Sequence, residues 1–222
     1  MKKLYKVLRS VAMVIAPLIL SITVVLGLYL FLGKTLSPFV SVINLFLSHG
    51  EQVNVEQEFD NIFEGYTGEG EEEVVDGNTL QFPTRGALYA KLAIDSCFLE
   101  TDVYFDDSDE ALSRGGVGQH YATKIPGCGT PILICGHSIG KFSALQYVKV
   151  GDIVTMTTNY GIYEYQVREI AIKDMDDPTA ADLTQEKEEL ILYTCYPFTN
   201  LRLTRERYFV YADKISGPEI VY

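Results

Sequence analysis

The chain is short of most features that would settle its class at a glance. Its four cysteines, Cys97, Cys128, Cys135 and Cys195, form no Cys-x-x-Cys pair, which argues against a thiolate zinc site. Neither a metal nor an organic cofactor is expected. Basic residues are outnumbered: 18 Lys and Arg face 30 Asp and Glu, for a net charge of −12. Phosphate contact needs a basic face, so no nucleic-acid partner is expected. No internal repeat is present. Histidine is scarce, with only His49, His120 and His137. Lys and Arg are missing altogether between Glu51 and Thr84, where ten carboxylates fall between Glu51 and Asp76. Punctuated by Gly65, Gly68, Gly70 and Gly77, this stretch predicts a self-repelling spacer, not a packed domain.

What the N-terminus does have is an uncharged run. Lys2, Lys3, Lys6 and Arg9 precede 23 residues, Val11 to Gly33, without a charge. At 1.5 Å per residue such a helix spans a hydrocarbon core of roughly 30 Å. No small-x-small cleavage site follows at Gly33-Lys34-Thr35-Leu36. The expectation is an uncleaved, single-pass anchor in the cell membrane. Its basic tail, 1–10, lies in the cytoplasm and the remainder outside. Residues 34–84 then form a membrane-proximal segment and acidic linker, and 85–222 the folded domain.

Within 85–222, short alternating runs dominate. Gly86–Ile94, Cys97–Phe105, Pro131–Gly136, Ile153–Thr157, Tyr163–Ile172, Leu190–Thr194 and Tyr208–Tyr211 read as strands. Asn159-Tyr160-Gly161 reads as a hairpin turn. Short helices are expected around Glu110–Leu112 and Phe142–Tyr147. This density of strands predicts an all-β domain with short helices, a closed or nearly closed barrel.

Two strand ends carry chemistry. Cys195 ends one apolar strand and Arg207 begins the next, while His137 follows a third strand at Gly136. Thiolate is the nucleophilic form of cysteine, and a neighbouring imidazole activates it. A guanidinium stays charged and can hold a carbonyl oxygen. Together the three make an acyl-transfer set. Arg205, two residues from Arg207, is its main rival for the clamp, and Arg202 is read as solvated. Cys135 shares a face with His137 and reads as packing. The carboxylates Asp174, Asp176, Asp177, Asp182, Glu186 and Glu188 read as a solvated loop in preference to a calcium site.

The local words point further. Leu192-Tyr193-Thr194-Cys195 resembles the Thr-Leu-x-Thr-Cys signature of sortases, the cysteine transpeptidases of Gram-positive bacteria, with Ile191 in place of the first Thr. Cys135-Gly136-His137-Ser138 resembles their histidine motif and Arg207-Tyr208-Phe209-Val210 their arginine strand. Gly116-Val117-Gly118-Gln119-His120 with Pro126-Gly127 resembles the segment before the histidine, with Gln119 inserted. The resemblance implies an eight-stranded barrel that cuts a sorting signal such as Leu-Pro-x-Thr-Gly between Thr and Gly. It assigns Cys195 as nucleophile, His137 as acid and base, and Arg207 as clamp, with Thr194 and Pro197 beside the substrate. The implied partners are secreted proteins with a C-terminal sorting signal and an amine acceptor on a peptidoglycan precursor or a pilin. Cys195-Tyr196-Pro197-Phe198 looks most like class D, with classes C and E as alternatives. The segment Glu58–Phe63 lacks the proline of a class C lid. Two other classes stay open: a cysteine peptidase or amidase that passes the same thioester to water, and a non-catalytic surface scaffold.

Overall fold

A computed structural model describes Ser21, Thr23, Val24, residues 74–199 and residues 204–222. The predicted span 11–33 lies outside these residues except for Ser21, Thr23 and Val24, which are helical. Among the described residues no helix is long and apolar enough to cross a membrane. His49 and Arg202 also lie outside them.

Ten strands follow one another: β1 (Val74–Asp76), β2 (Leu88–Ile94), β3 (Leu99–Tyr104), β4 (Val117–Gln119), β5 (Ile132–Cys135), β6 (Ile153–Thr158), β7 (Ile162–Asp174), β8 (Glu189–Cys195), β9 (Glu206–Ser216) and β10 (Glu219–Val221). A short helix, α1 (Asp109–Leu112), precedes β4, and a 3-10 turn, Lys141–Tyr147, follows β5. Eight strands close into a barrel in the order β2-β3-β4-β5-β8-β9-β7-β6. The remaining pair, β1 and β10, lie parallel to each other.

Side-chain alternation explains why these runs form a barrel with two kinds of surface. Ile132 and Ile134 of β5, Leu190 and Leu192 of β8, and Val210 and Ala212 of β9 all enter the main core. Their alternates point the other way. Leu133, Ile191, Tyr193, Phe209 and Tyr211 instead form a second cluster, closed by Ala180 and Ala181 from the β7–β8 loop. The outer face of β5, β8 and β9 is therefore not plain surface but the floor of a groove. Ile191, which replaces the signature Thr, is fully buried in that cluster, an apolar site that suits it.

Three short strands were not foreseen: β1, β4 and β10. Strand β1 lies in the stretch read as acidic spacer; Val75 is half-buried, and its partner Ile220 packs in the core. Strand β4, only three residues long and flanked by glycine, carries no readable alternation, yet it bridges β3 and β5. Gln119, the apparent insertion, is fully buried there. Its amide donates to the Thr123 and Lys124 carbonyls, and its Oε1 accepts from the Tyr89 hydroxyl.

Gly118 is dictated by close approach. A Cβ there would sit 2.3 Å from the Asp106 carbonyl oxygen and 2.9 Å from Asp107 Cα. The chain after β3 thus crosses directly over β4 and brings Asp107 and α1 to one side of the groove. Gly118→Ala should cost at least about 1–3 kcal/mol through overpacking against backbone that cannot swing away. Urea denaturation of the purified domain checks this; an unchanged midpoint would mean the crossing segment is free to lift.

Candidate active site

The registers of β5, β8 and β9 bring the three predicted residues together. Cys195 lies directly opposite Arg207 in the antiparallel β8–β9 pair. Strands β5 and β8 are parallel, with Cys135 opposite Tyr193. The Gly136 N–H continues that ladder to the Tyr193 carbonyl at 3.3 Å. Carrying the register two residues past Cys135 sets His137 level with Cys195. Neighbouring strands lie about 4.8 Å apart, so His137, Cys195 and Arg207 form one row across three strands, all partly exposed.

Thr194 fixes the middle of this row. Its side chain points inward, is 1% exposed, and donates its hydroxyl to the Gly136 carbonyl at 2.7 Å. The side chain expected beside the substrate is instead buried, and its hydroxyl ties the cysteine strand to the peptide before His137. On the other side of Gly136, Phe142 packs against the glycine, where a Cβ would lie 2.8 Å from the ring. Thr194→Val should cost about 1–3 kcal/mol, because a buried carbonyl loses its donor, and should lower turnover as well. Thr194→Ser should restore most of both. Chemical denaturation and kcat/KM measured side by side on the two variants decide it.

Burial lowers the His137 pKa, and the nearby Asp109 carboxylate at the start of α1 partly offsets this. The imidazole is therefore mostly neutral at pH 7. Cys135, on the same outer face, is 8% exposed. Burial, and then the Asp107 charge, push its thiol up to about 12, against a hydrogen bond with the Tyr193 hydroxyl. It stays protonated and cannot compete as a nucleophile. The packing role expected for Cys135 is thus met on the groove side, under Asp107. All four cysteines are free.

The rivals to the predicted set are accounted for by their partners. His120 follows β4 and is held by Asp107, Nδ1 to Oδ2 at 2.7 Å. Arg205 is spent on Asp174 and Asp176. Arg207 behaves differently. Its Nη1 donates to the carbonyls of Thr204 and Glu206, and Nη2 makes a 3.9 Å contact with Met175 Sδ. Among the described residues its Nε has no hydrogen-bond partner, which leaves donors for a substrate. Pro197 is half-buried in the β8–β9 loop, next to an aromatic cluster in which Phe198 meets Tyr208 at 5.0 Å.

Of the acidic loop read as solvated, Asp174, Asp176, Asp182 and Glu186 are exposed and Asp177 is half-buried, whereas Glu188 is buried. Asp177 caps Thr179, and Asp182 caps Thr184. Glu188, 6% exposed, accepts from the Gly127 and Gly129 amides and the Tyr165 hydroxyl. Among the described residues no three His, Cys, Asp or Glu converge as metal ligands. Sequence reasoning missed Asp107, Asp109 and Met175. Asp107 and Asp109 come from the segment that crosses β4, and Met175 from just past the end of β7 beside Arg207, placements no local pattern announces.

Residues 92–215 match the family model for the sortase domain. The chain belongs to the sortase family. It is 33% identical over 134 residues to sortase D of Bacillus subtilis (strain 168), covering 60% of this chain and 67% of that protein. Among solved structures, the sortase is similar to the Clostridium perfringens sortase D5 transpeptidase, with a TM-score of 0.58 and 24% identity over 71% of this chain and 95% of that one. It is also similar to the catalytic domain of B. anthracis SrtD, with a TM-score of 0.52 and 26% identity over 64% and 96%. The family makes this chain a cysteine transpeptidase with a sortase barrel.

Proposed function

We propose that Cys195, His137 and Arg207 are the working residues of this transpeptidase. What supports the assignment is that Cys195 pairs with Arg207 across β8–β9 and that the β5–β8 register, continued two residues past Cys135, sets His137 level with Cys195. Cys195 attacks the carbonyl of a sorting signal such as Leu-Pro-x-Thr-Gly, at the Thr–Gly bond, and holds the Thr as a thioester. His137 takes the Cys195 thiol proton as the sulfur attacks and gives it to the departing Gly amine; it later takes one from the incoming amine and returns it to the departing sulfur. Arg207 holds the substrate carbonyl and supports the oxyanion. The acceptor is an amine on a peptidoglycan precursor or a pilin, and the substrates are secreted proteins. The protein divides into a cytoplasmic tail (1–10), a membrane anchor (11–33), a linker (34–84) and the catalytic barrel (85–222). Anchoring puts enzyme, substrate and lipid-linked acceptor on one surface. The subclass this reading favours is D, for the Cys195-Tyr196-Pro197-Phe198 sequence after the signature.

The soluble barrel incubated with a sorting-signal peptide library should give a thioester adduct on Cys195 by mass spectrometry. With added amine, ligated product should replace free acid. Free acid alone at saturating amine would favour the peptidase reading, and no adduct on any peptide would favour the scaffold.

A further inference from the structure

We propose that Arg205, Asp174 and Asp176 form a clasp that positions the Arg207 guanidinium, an inference that rests on the clamp role proposed above. Arg205 donates Nε and Nη2 to the two oxygens of Asp174, at 3.1 and 2.9 Å, and Nη2 again to Asp176 at 2.6 Å. The backbone repeats the link: Met175 N donates to the Arg205 carbonyl at 2.7 Å, and Asp176 N donates to Asp174 Oδ1 at 2.9 Å. The clasp lies just past the last rung of the β7–β9 ladder, where Lys173 faces Arg207 and Asp174 faces Glu206.

Among the described residues, three groups hold the Arg207 guanidinium: the Thr204 carbonyl, the Glu206 carbonyl and the Met175 sulfur. Each belongs to a neighbour of a clasp residue. Thr204 and Glu206 flank Arg205, and Met175 lies between Asp174 and Asp176. The residues that set the pose of Arg207 are thus tied to one another by the clasp. A single exposed ion pair contributes little, but a bidentate pair within a network of three is the exception. Its consequence here is geometric, since small misplacements of a catalytic group are costly in rate. Arg205 is a positioning residue, not a catalytic one.

A double-mutant cycle on kcat/KM for sorting-signal cleavage tests this. Arg205→Ala alone should lower kcat by about three- to tenfold with KM little changed, as expected for an interaction felt in the transition state. In the Arg207→Ala background the same change should alter the residual rate by less than about twofold, because coupled residues are not additive. Asp174→Asn with Asp176→Asn should mimic Arg205→Ala. Arg205→Lys should fall between, lacking the planar fork. At about 1 M salt, where the Debye length is about 3 Å, the gap between wild type and Arg205→Ala should narrow. Thermal midpoints confirm that each variant is folded. An equal loss from Arg205→Ala in both backgrounds, or none in the wild type, overturns the clasp while leaving the clamp role intact. A fully active Arg207→Ala overturns the clamp role itself.

Discussion

Replacing His137 with alanine should lower kcat/KM by about 10²–10⁴-fold, the usual worth of a positioned acid or base, while His120→Ala keeps most of the activity. The parallel β5–β8 register, continued two residues past Cys135, sets His137 level with Cys195. His120 lies beside Leu133 of β5, four residues before His137, and is held by Asp107. The pH profile carries a sign. Burial is the larger influence on His137 and lowers its pKa, whereas Asp109 raises it. The limb that His137 sets should therefore lie below the ordinary histidine value of about 6.5. Asp109→Asn removes the raising influence and should move that limb lower still. Equal losses from the two histidine substitutions in folded protein, or a shift to higher pH in Asp109→Asn, would show the base assigned to the wrong ring.

The sequence announced the barrel through its long alternating strands, and the three site residues through words at strand ends. Strand β7 was legible because one face is buried by period two at Tyr163, Tyr165 and Val167, and β8, buried on both faces, was legible as a short apolar run. Strand β4 was not, because three residues with a central glycine have no period to show. The same glycine is what admits the crossing segment, so the least legible strand is the one that brings Asp107 to the groove. The inward turn of Thr194 was not foreseen, and its hydroxyl partner on Gly136 depends on a parallel pairing of segments widely separated in sequence. Most carboxylates of the β7–β8 loop are exposed as read, but Glu188 is buried, because its partners, the Gly127 and Gly129 amides, come from a distant segment. Local pattern reports which way a side chain faces; it does not report what a loop lays on top of it.

Arg207→Lys and Arg207→Ala should both lose at least about 10²–10³-fold in kcat/KM, the cost of removing one oxyanion-type donor. Lysine should not rescue, since it lacks the planar fork that can present two parallel donors. The structure gives a reason to place this role on Arg207 and not two residues earlier. Arg207 faces Cys195 across β8–β9, with Nη1 anchored on two carbonyls of its own strand entry and Nε unengaged among the described residues. That is the posture of a side chain whose direction is fixed while donors remain open. Arg205 faces the β7–β8 loop with both Nε and Nη2 committed to carboxylates. Recruiting it to a substrate would mean breaking a bidentate pair. Arg205→Ala should therefore stay within about tenfold of wild type, roughly 1.4 kcal/mol of barrier. Kinetics of the three purified variants on one sorting-signal peptide separate the two arginines. A dead Arg205→Ala beside a working Arg207→Ala would place the clamp on Arg205 and require the Asp174 pairing to open during catalysis.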